Sequence, residues 1–547
     1  MKKRLLFFLI IVILVFVFNF RAAAQGELAM SIRNHLLVIE EYEGLFPEGE
    51  DVSFYQELID FYDQRHHRSI WFEDGEFKRD PALLIKEIKN SYDEGLNPED
   101  YHLEYIESCI EEDEEGLFKV ECKDDRALLD ILLTNAYLSL ASDYLNGKID
   151  AEIIIDDHNY QADSLEAQNL LKLLIERNDI SKTLQDQLPK TDNYKNLKEE
   201  LAYYRDSGKV DDWPQIAEGE NLAEEAVGSR VAQLISNLNA RNYLNRANLK
   251  ADDYFNDTVK QAVVRFQLDH GLNADGVVGD KTLAALNISR DQRIKQLIIN
   301  MERWRWLPED LGSRYIYVNI ADYNLKLFED NQLKMEMKTI VGQEQRSTPV
   351  FNDSIKYLVL NPYWYVPESI AVKDKLPEIK EDVDYLSEND YTLFKYNGDN
   401  KLEKIDPEDV DWDEVDEDNF NYLLRQNPGD NNALGRVKFM FPNKFSIYLH
   451  DTPGRNLFSE TARRFSSGCI RIEKPVDLAE YLLSDQEKWD RESIEEEMKK
   501  DKEKTVYLKN PIKIYLQYNT AWVDSIGNLN FREDIYDRDQ KLIEEYF

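Results

Sequence analysis

The hydrophobic period of this chain changes at Met301-Glu302-Arg303-Trp304-Arg305-Trp306. Upstream, apolar residues recur with helical spacing, at Leu84, Ile85 and Ile88 and again from Leu128 to Leu138. Downstream, Tyr315 to Ile320, Asn324 to Phe328 and Leu333 to Val341 alternate apolar and polar, and Asp330-Asn331 forms a turn between two of these runs. More strand-like runs follow at Ile355 to Leu360, Val437 to Phe441 and Phe445 to Leu449, with returning strands at Thr505 to Leu508 and Ile512 to Tyr518. One chain therefore holds a helical part followed by a mostly β part, an α+β multidomain class. Its 547 residues suffice for three or more cores.

Residues 32–210 read as a helical scaffold, broken at Gly95-Leu96-Asn97-Pro98, and residues 211–228 as a polar linker. Residues 229–287 make a compact unit of three short helices. Val231, Leu234, Ile235 and Leu238 share one face, Asn256 and Asp257 offer a cap, and Val259, Val263 and Phe266 follow at i, i+4 and i+7. The wording from Phe266 to Asn287, F-Q-x-x-x-G-L-x-x-D-G-x-x-G-x-x-T-x-x-x-L-N, resembles the peptidoglycan-binding domain of bacterial wall enzymes. A helical spacer without a ligand is the other reading of this unit. Residues 301–540 form the mostly β domain. Its alternation stops across 368–434, where helical stretches accompany an acidic run, Asp406 to Asp418, with nine acids and no bases. An insert of that length in a compact domain reads as a helical lid or as surface decoration.

The formal net charge of −40 argues against nucleic acid or an anionic membrane as partner. Met1-Lys2-Lys3-Arg4, the apolar run Leu5 to Phe18 and Ala22-Ala23-Ala24 give residues 1–24 the form of a signal peptide cleaved after Ala24. An uncleaved anchor is the alternative. The expected location is periplasmic or exported. Of three cysteines, Cys109 and Cys122 lie in one acidic stretch and can pair with each other in an oxidising compartment, or all three are free. His66-His67 are adjacent and point different ways on a helix, so no metal site is expected there, and no cofactor is implied.

The chemistry concentrates between Ser446 and Ile472. His450 ends an alternating run, and Cys469 follows nineteen residues later inside Ser466-Ser467-Gly468-Cys469. A thiol nucleophile needs a base and backbone N–H groups for the oxyanion. His450 is the candidate proton donor and acceptor. The N–H groups of Gly468 and Cys469 are the candidate oxyanion donors, since Gly468 lets the backbone approach closely. On a strand Tyr448 shares a face with His450 and can bond substrate or oxyanion. Asp451 points to the opposite face, which lowers it as third triad member, and a backbone carbonyl is an equal candidate to orient the imidazole. Arg471 either pairs with a substrate carboxylate or holds the loop through an internal salt bridge.

His450 followed by Ser467-Gly468-Cys469-Ile470-Arg471 resembles the signature of the YkuD class of L,D-transpeptidases. Ser-Ser-Gly-Cys-Ile-Arg with His-Asp-Thr-Pro, Trp364-Tyr365-Val366-Pro367, the long insert and Phe531-Arg532-x-Asp534-Ile535-Tyr536 are similar to its large multidomain YcbB-type branch. The resemblance covers nearly the whole mature chain, and Ser467 stands where many of the family have a second histidine. It implies a thioacyl-enzyme on Cys469, released D-Ala and 3→3 cross-links between stem peptides, with Ser467 and Trp364 added as substrate-binding candidates. Peptidoglycan stems, and other cell-wall synthesis enzymes, are the implied partners. An L,D-carboxypeptidase using water and a non-catalytic wall-binding scaffold are the alternatives.

Overall fold

A computed structural model describes residues 26–45, 50–112, 118–120, 126–153, 167–177, 179–206, 213–245, 247, 253–397, 401–500 and 502–547. The signal-like residues 1–24 and Cys122 lie outside them, while Cys109 is buried in the scaffold core. No helix of the described residues is long and apolar enough to cross a membrane.

The helical scaffold is centred on Arg126–Asn146, which is apolar around nearly its whole circumference and buried from Ala127 to Ala141. A helix apolar all round belongs in a core rather than on a surface. The break at Gly95 becomes a 3-10 turn, Pro98–Tyr101, capped by the Asn97 side chain. The three-helix unit forms as expected, with helices Ser229–Ala240, Asp257–Asp269 and Asp280–Leu286. Asn256 caps the middle one by accepting from the Val259 N–H at 3.1 Å. This unit buries its own apolar cluster around Leu234, Val263 and Phe266.

The change of period coincides with a helix, Arg290–Arg305, started by a capping box at Ser289 and Gln292. Almost all of its last three turns are buried, because it lies between the scaffold and the β domain, whose apolar residues form one continuous cluster. Its charges are paired inside. Arg305 bonds Glu302 at 2.7 Å with both side chains fully buried, and it also donates to the Glu94 carbonyl and the Tyr194 hydroxyl of the scaffold. Arg303 bonds Asp539 at 2.6 Å near the C-terminus.

The β domain starts with β1 (Arg314–Asn319), β2 (Asn324–Glu329), β3 (Gln332–Gly342) and β4 (Phe351–Leu360). The insert then contributes β5 (Trp364–Tyr365), β6 (Tyr391–Tyr396), β7 (Leu402–Lys404) and β8 (Tyr422–Gln426). Return to the domain brings β9 (Val437–Met440), β10 (Leu449–His450), β11 (Arg464–Ser466), β12 (Ile470–Ile472) and β13 (Lys504–Gln517). Nine of these run in the order β11-β3-β12-β10-β9-β4-β13-β1-β2, and β2 also pairs with β3, so the sheet curls back on itself. The two returning runs expected near 505 and 512 are one strand, β13, with an irregularity between Tyr507 and Ile512. Asp330 and Asn331 both take positive φ in the turn between β2 and β3, as a tight hairpin needs.

The insert contains the expected helical stretches between Glu368 and Glu388 and adds a four-stranded antiparallel sheet, β7-β6-β8-β5. It has its own core, including Trp364, Leu376, Trp412 and Leu424, against which Tyr448 of the β domain also packs. The acidic run from Asp406 still contributes apolar residues to that core, because Trp412 and Val415 turn inward while the carboxylates face out.

Removing one partner of a buried ion pair leaves an uncompensated charge, which costs about 3–5 kcal/mol. Glu302→Ala is expected to lower stability by about that amount in urea unfolding of the purified chain, with the scaffold and β domain losing structure together.

Candidate active site

The site is built on the turn from β11 into β12. Gly468 sits at φ +112°, a conformation open to glycine, and a Cβ there would press on Ile447 at 3.3 Å. Ser466 ties the turn to itself, its Oγ donating to the Cys469 carbonyl at 2.5 Å and accepting the Gly468 N–H at 3.2 Å. A second loop, 342–348, holds it from below. The Gln343 N–H donates to the Ser466 carbonyl at 2.9 Å. Thr348 Oγ1 donates to the Gly468 carbonyl at 2.8 Å and accepts the Gly342 N–H at 2.9 Å. Gly342 has no room for a side chain, since a Cβ would lie 2.1 Å from the Arg346 carbonyl. The C-terminal segment closes the underside: Tyr536 OH donates to the Gly342 carbonyl at 2.5 Å, and Arg538 donates to the Thr348 carbonyl at 3.0 Å.

Strand pairing then brings the chemistry together. β10 runs parallel to β12 with Leu449 opposite Ile470 and His450 opposite Arg471. The Ile470 N–H donates to the Tyr448 carbonyl at 3.1 Å, which sets Tyr448 beside Cys469. β9 pairs on the other side with Lys438 opposite His450. Tyr448, His450, Cys469, Arg471 and Lys438 therefore share one face of the sheet.

Tyr448 and His450 meet on that face by a route the alternation did not reveal. The expected strand from Phe445 is a loop, with regular pairing confined to Leu449–His450. The Asn443 side chain accepts from the N–H groups of Phe445 and Ile447 and donates to the Phe441 and Ile447 carbonyls, and Ser446 takes φ +57°. An Asx-type network of this kind competes with ladder bonds and wins here. The rings of Tyr448 and His450 still pack edge to face, with centroids 5.7 Å apart.

The imidazole is oriented by backbone. His450 Nδ1 donates to the Asp451 carbonyl at 2.5 Å, which leaves Nε2 as the unprotonated nitrogen of the neutral ring. The Asp451 carboxylate points elsewhere, accepting from the Arg436 N–H at 2.9 Å and from Arg455 at 3.1 Å. Burial, then the cations Arg471 and Lys438, push His450 down to about 3, against an upward pull from the Asp451 and Leu434 carbonyls. Burial pushes the Cys469 thiol up to about 11, opposed by hydrogen bonds from Tyr448 and by the charges of Arg471 and Lys438. Thiol and imidazole are both neutral at pH 7.

The remaining expected residues fall in three places. Arg471 donates to the Phe465 carbonyl at 3.3 Å, and its buried Nε has no hydrogen-bond partner. Among the described residues no carboxylate pairs with it, so the alternative of an internal salt bridge is not what the structure shows. Ser467 Oγ accepts from Arg346 at 3.0 Å. Trp364 sits in the insert core beside Tyr391, 9% exposed. The Gly468 N–H is engaged inside its own turn. Among the described residues no group of His, Cys, Asp and Glu gathers as a metal would require. Arg346, Thr348 and Lys438 were not singled out from the sequence. Only the Gly342 and Pro349 that bracket the 342–348 loop hint at it.

Residues 313–507 match the model of the L,D-transpeptidase catalytic domain. The chain carries an L,D-transpeptidase catalytic domain. Residues 227–286 match a "Putative peptidoglycan binding domain" and residues 56–201 a scaffold domain. The chain is 36% identical over 255 residues to a "Putative L,D-transpeptidase" of Haemophilus influenzae, an alignment covering 46% of this chain and 50% of the relative. The chain thus spans about half the length of the curated relative it matches. Among solved structures, an L,D-transpeptidase from Stackebrandtia nassauensis is 10% identical, with 56% of this chain and 97% of that one covered and a TM-score of 0.21. One from Mycobacterium smegmatis is 11% identical, with 38% and 58% covered and a TM-score of 0.19.

Thiolate, not thiol, is the reactive form in alkylation. With Cys469 titrating near 11, its iodoacetamide rate, read on the Cys469 peptide by mass spectrometry, is expected to rise about tenfold per pH unit from 7 to 10. A rate already level at pH 7 would mean a resting thiolate and contradict the neutral pair.

Proposed function

We propose that this L,D-transpeptidase domain forms 3→3 cross-links between peptidoglycan stems through a thioacyl-enzyme on Cys469. The observation carrying this reading is the single face that holds a thiol, a carbonyl-oriented imidazole and a tyrosine, flanked by two cations.

Because thiol and imidazole rest neutral, proton transfer accompanies attack rather than preceding it. His450 Nε2 takes the Cys469 proton as Sγ bonds to the carbonyl carbon of the third stem residue, meso-diaminopimelate or its equivalent. Electrons move onto the carbonyl oxygen. The Cys469 N–H and the Gly468 N–H receive that oxyanion, the latter by exchanging its long 3.2 Å bond to Ser466. Arg471 and Lys438 stabilise the developing negative charge. Collapse breaks the C–N bond, and D-Ala leaves with the proton from His450. In the second half the side-chain amine of another stem attacks the thioester, gives its proton to His450 and expels the thiolate, which His450 reprotonates. One base and one oxyanion site serve both halves.

The insert, whose core reaches Tyr448, is the lid in this reading. Excluding water favours the amine over hydrolysis. The three-helix unit holds the wall, and the N-terminal residues direct export.

The test is mass spectrometry of purified protein incubated with tetrapeptide-bearing muropeptide. A cross-linked dimer is expected, absent with Cys469→Ala, and His450→Ala is expected to slow it by about 10²–10⁴-fold. Equal dimer from Cys469→Ala would sink the proposal. Free tripeptide without dimer would instead assign an L,D-carboxypeptidase. A Cys469 that no carbapenem or iodoacetamide labels at any pH would leave only a wall-binding scaffold.

A further inference from the structure

Arg346 lies where the insert meets the nucleophile turn. Its Nη1 and Nη2 clasp the two carboxylate oxygens of Asp374 at 2.5 and 2.9 Å, a two-point contact with the first helical stretch of the insert. Nη1 also donates to Ser467 Oγ at 3.0 Å, two residues before the thiol. The backbone behind this side chain is fixed, because the Arg346 carbonyl packs against Gly342 and faces Gly468. The guanidinium thus stands on a rigid base against Ser467, two residues before Cys469, already holding a carboxylate.

The other cations of the site are less suited to a substrate carboxylate. Lys438 is a largely buried point charge, and the Arg471 guanidinium is turned toward Phe465 and the thiol. The Arg346–Asp374 pair is partly solvent-exposed, at 25% and 40%, so it is weak and readily exchanged. A planar guanidinium matches any carboxylate in the same two-point way.

We infer that Arg346 is the residue that recognises the free α-carboxylate of the donor stem, and that Asp374 of the insert occupies its guanidinium until that carboxylate arrives. This rests on the proposed reaction for the identity of the ligand: the residue that leaves carries an α-carboxylate next to the scissile amide, ionised at neutral pH. The donor class is then a stem ending in a free D-amino acid rather than an amidated one. Arrival of the substrate carboxylate frees Asp374 and with it the near edge of the insert, so one exchange couples donor recognition to lid position.

Binding is read first, without turnover, by calorimetry on the full chain carrying Cys469→Ala, with the tetrapeptide stem and its C-terminal carboxamide as probes. Expected is a preference of about tenfold or more for the carboxylate, lost when Arg346→Gln is added, because only the carboxylate peptide weakens. Adding Asp374→Asn instead is expected to tighten the carboxylate peptide severalfold and leave the carboxamide unchanged. Turnover by otherwise wild-type protein carrying Arg346→Gln is expected to show the same split, a fall in kcat/KM for the carboxylate donor alone, with partial rescue by Arg346→Lys. Equal weakening of both peptides, no weakening of either, no preference to begin with, or no binding of either peptide each overturns the inference. If the preference and its loss are seen but wild type makes no dimer, the inference stands and the cross-linking reading fails.

Discussion

One hydroxyl joins the parts of the turn that carries Cys469. Thr348 Oγ1 donates to the Gly468 carbonyl and accepts from the Gly342 N–H, so the end of β3 and the residue before Cys469 are fixed to the same atom. Around it the contacts leave little slack. Gly342 is packed against the Arg346 carbonyl, Ser466 is bonded to Gln343, and Tyr536 and Arg538 hold the loop from the C-terminal side. A nucleophile must sit within a fraction of an ångström of its productive position. The position of Cys469 is set by side-chain and backbone groups from three separated stretches of chain, and not by the cysteine's own sequence neighbours alone.

The electrostatics follow from the same placement. The sheet that aligns Tyr448, His450, Cys469, Arg471 and Lys438 on one face also buries His450 and half-buries the others. Burial favours neutral thiol and neutral imidazole over the charged pair, and the two cations hold the imidazole down while pulling the thiol back toward ionisation. In a chain of net charge −40, Arg471 and Lys438 set a local positive field at the Cys469 thiol.

Much of this is legible in the sequence where local rules act. The switch of period at Trp306, the Asp330-Asn331 hairpin, the Asn256 cap and the three-helix unit follow from short-range preferences, and the structure has each of them. His450 and Cys469 are recognisable from residue type and spacing. Strand geometry demotes the Asp451 carboxylate but leaves open what orients the imidazole, and the structure supplies the Asp451 carbonyl. What escapes the sequence depends on distant partners. The alternation from Phe445 looks like strand, but Asn443 captures those N–H groups in a loop. The insert's sheet is hidden because its short strands lie among acids. The Glu302–Arg305 pair looks like surface charge until the scaffold closes over it. Nothing near Thr348, Arg346 or Lys438 marks them, since their partners are about 120, 28 and 12 residues away.

The most direct test of this dependence is the rate of Cys469 acylation by a tetrapeptide donor, followed by intact-protein mass spectrometry in Thr348→Val and Thr348→Ser chains. Valine keeps the shape and leaves two buried backbone groups without a partner, a loss of about 1–3 kcal/mol. Thr348→Val is expected to acylate about 10–100 times more slowly with the far-UV spectrum unchanged, while Thr348→Ser, which keeps the hydroxyl, stays near wild type. Acylation of Thr348→Val within twofold of wild type, or a Thr348→Ser chain as slow as Thr348→Val, would contradict the control of the nucleophile by that hydroxyl.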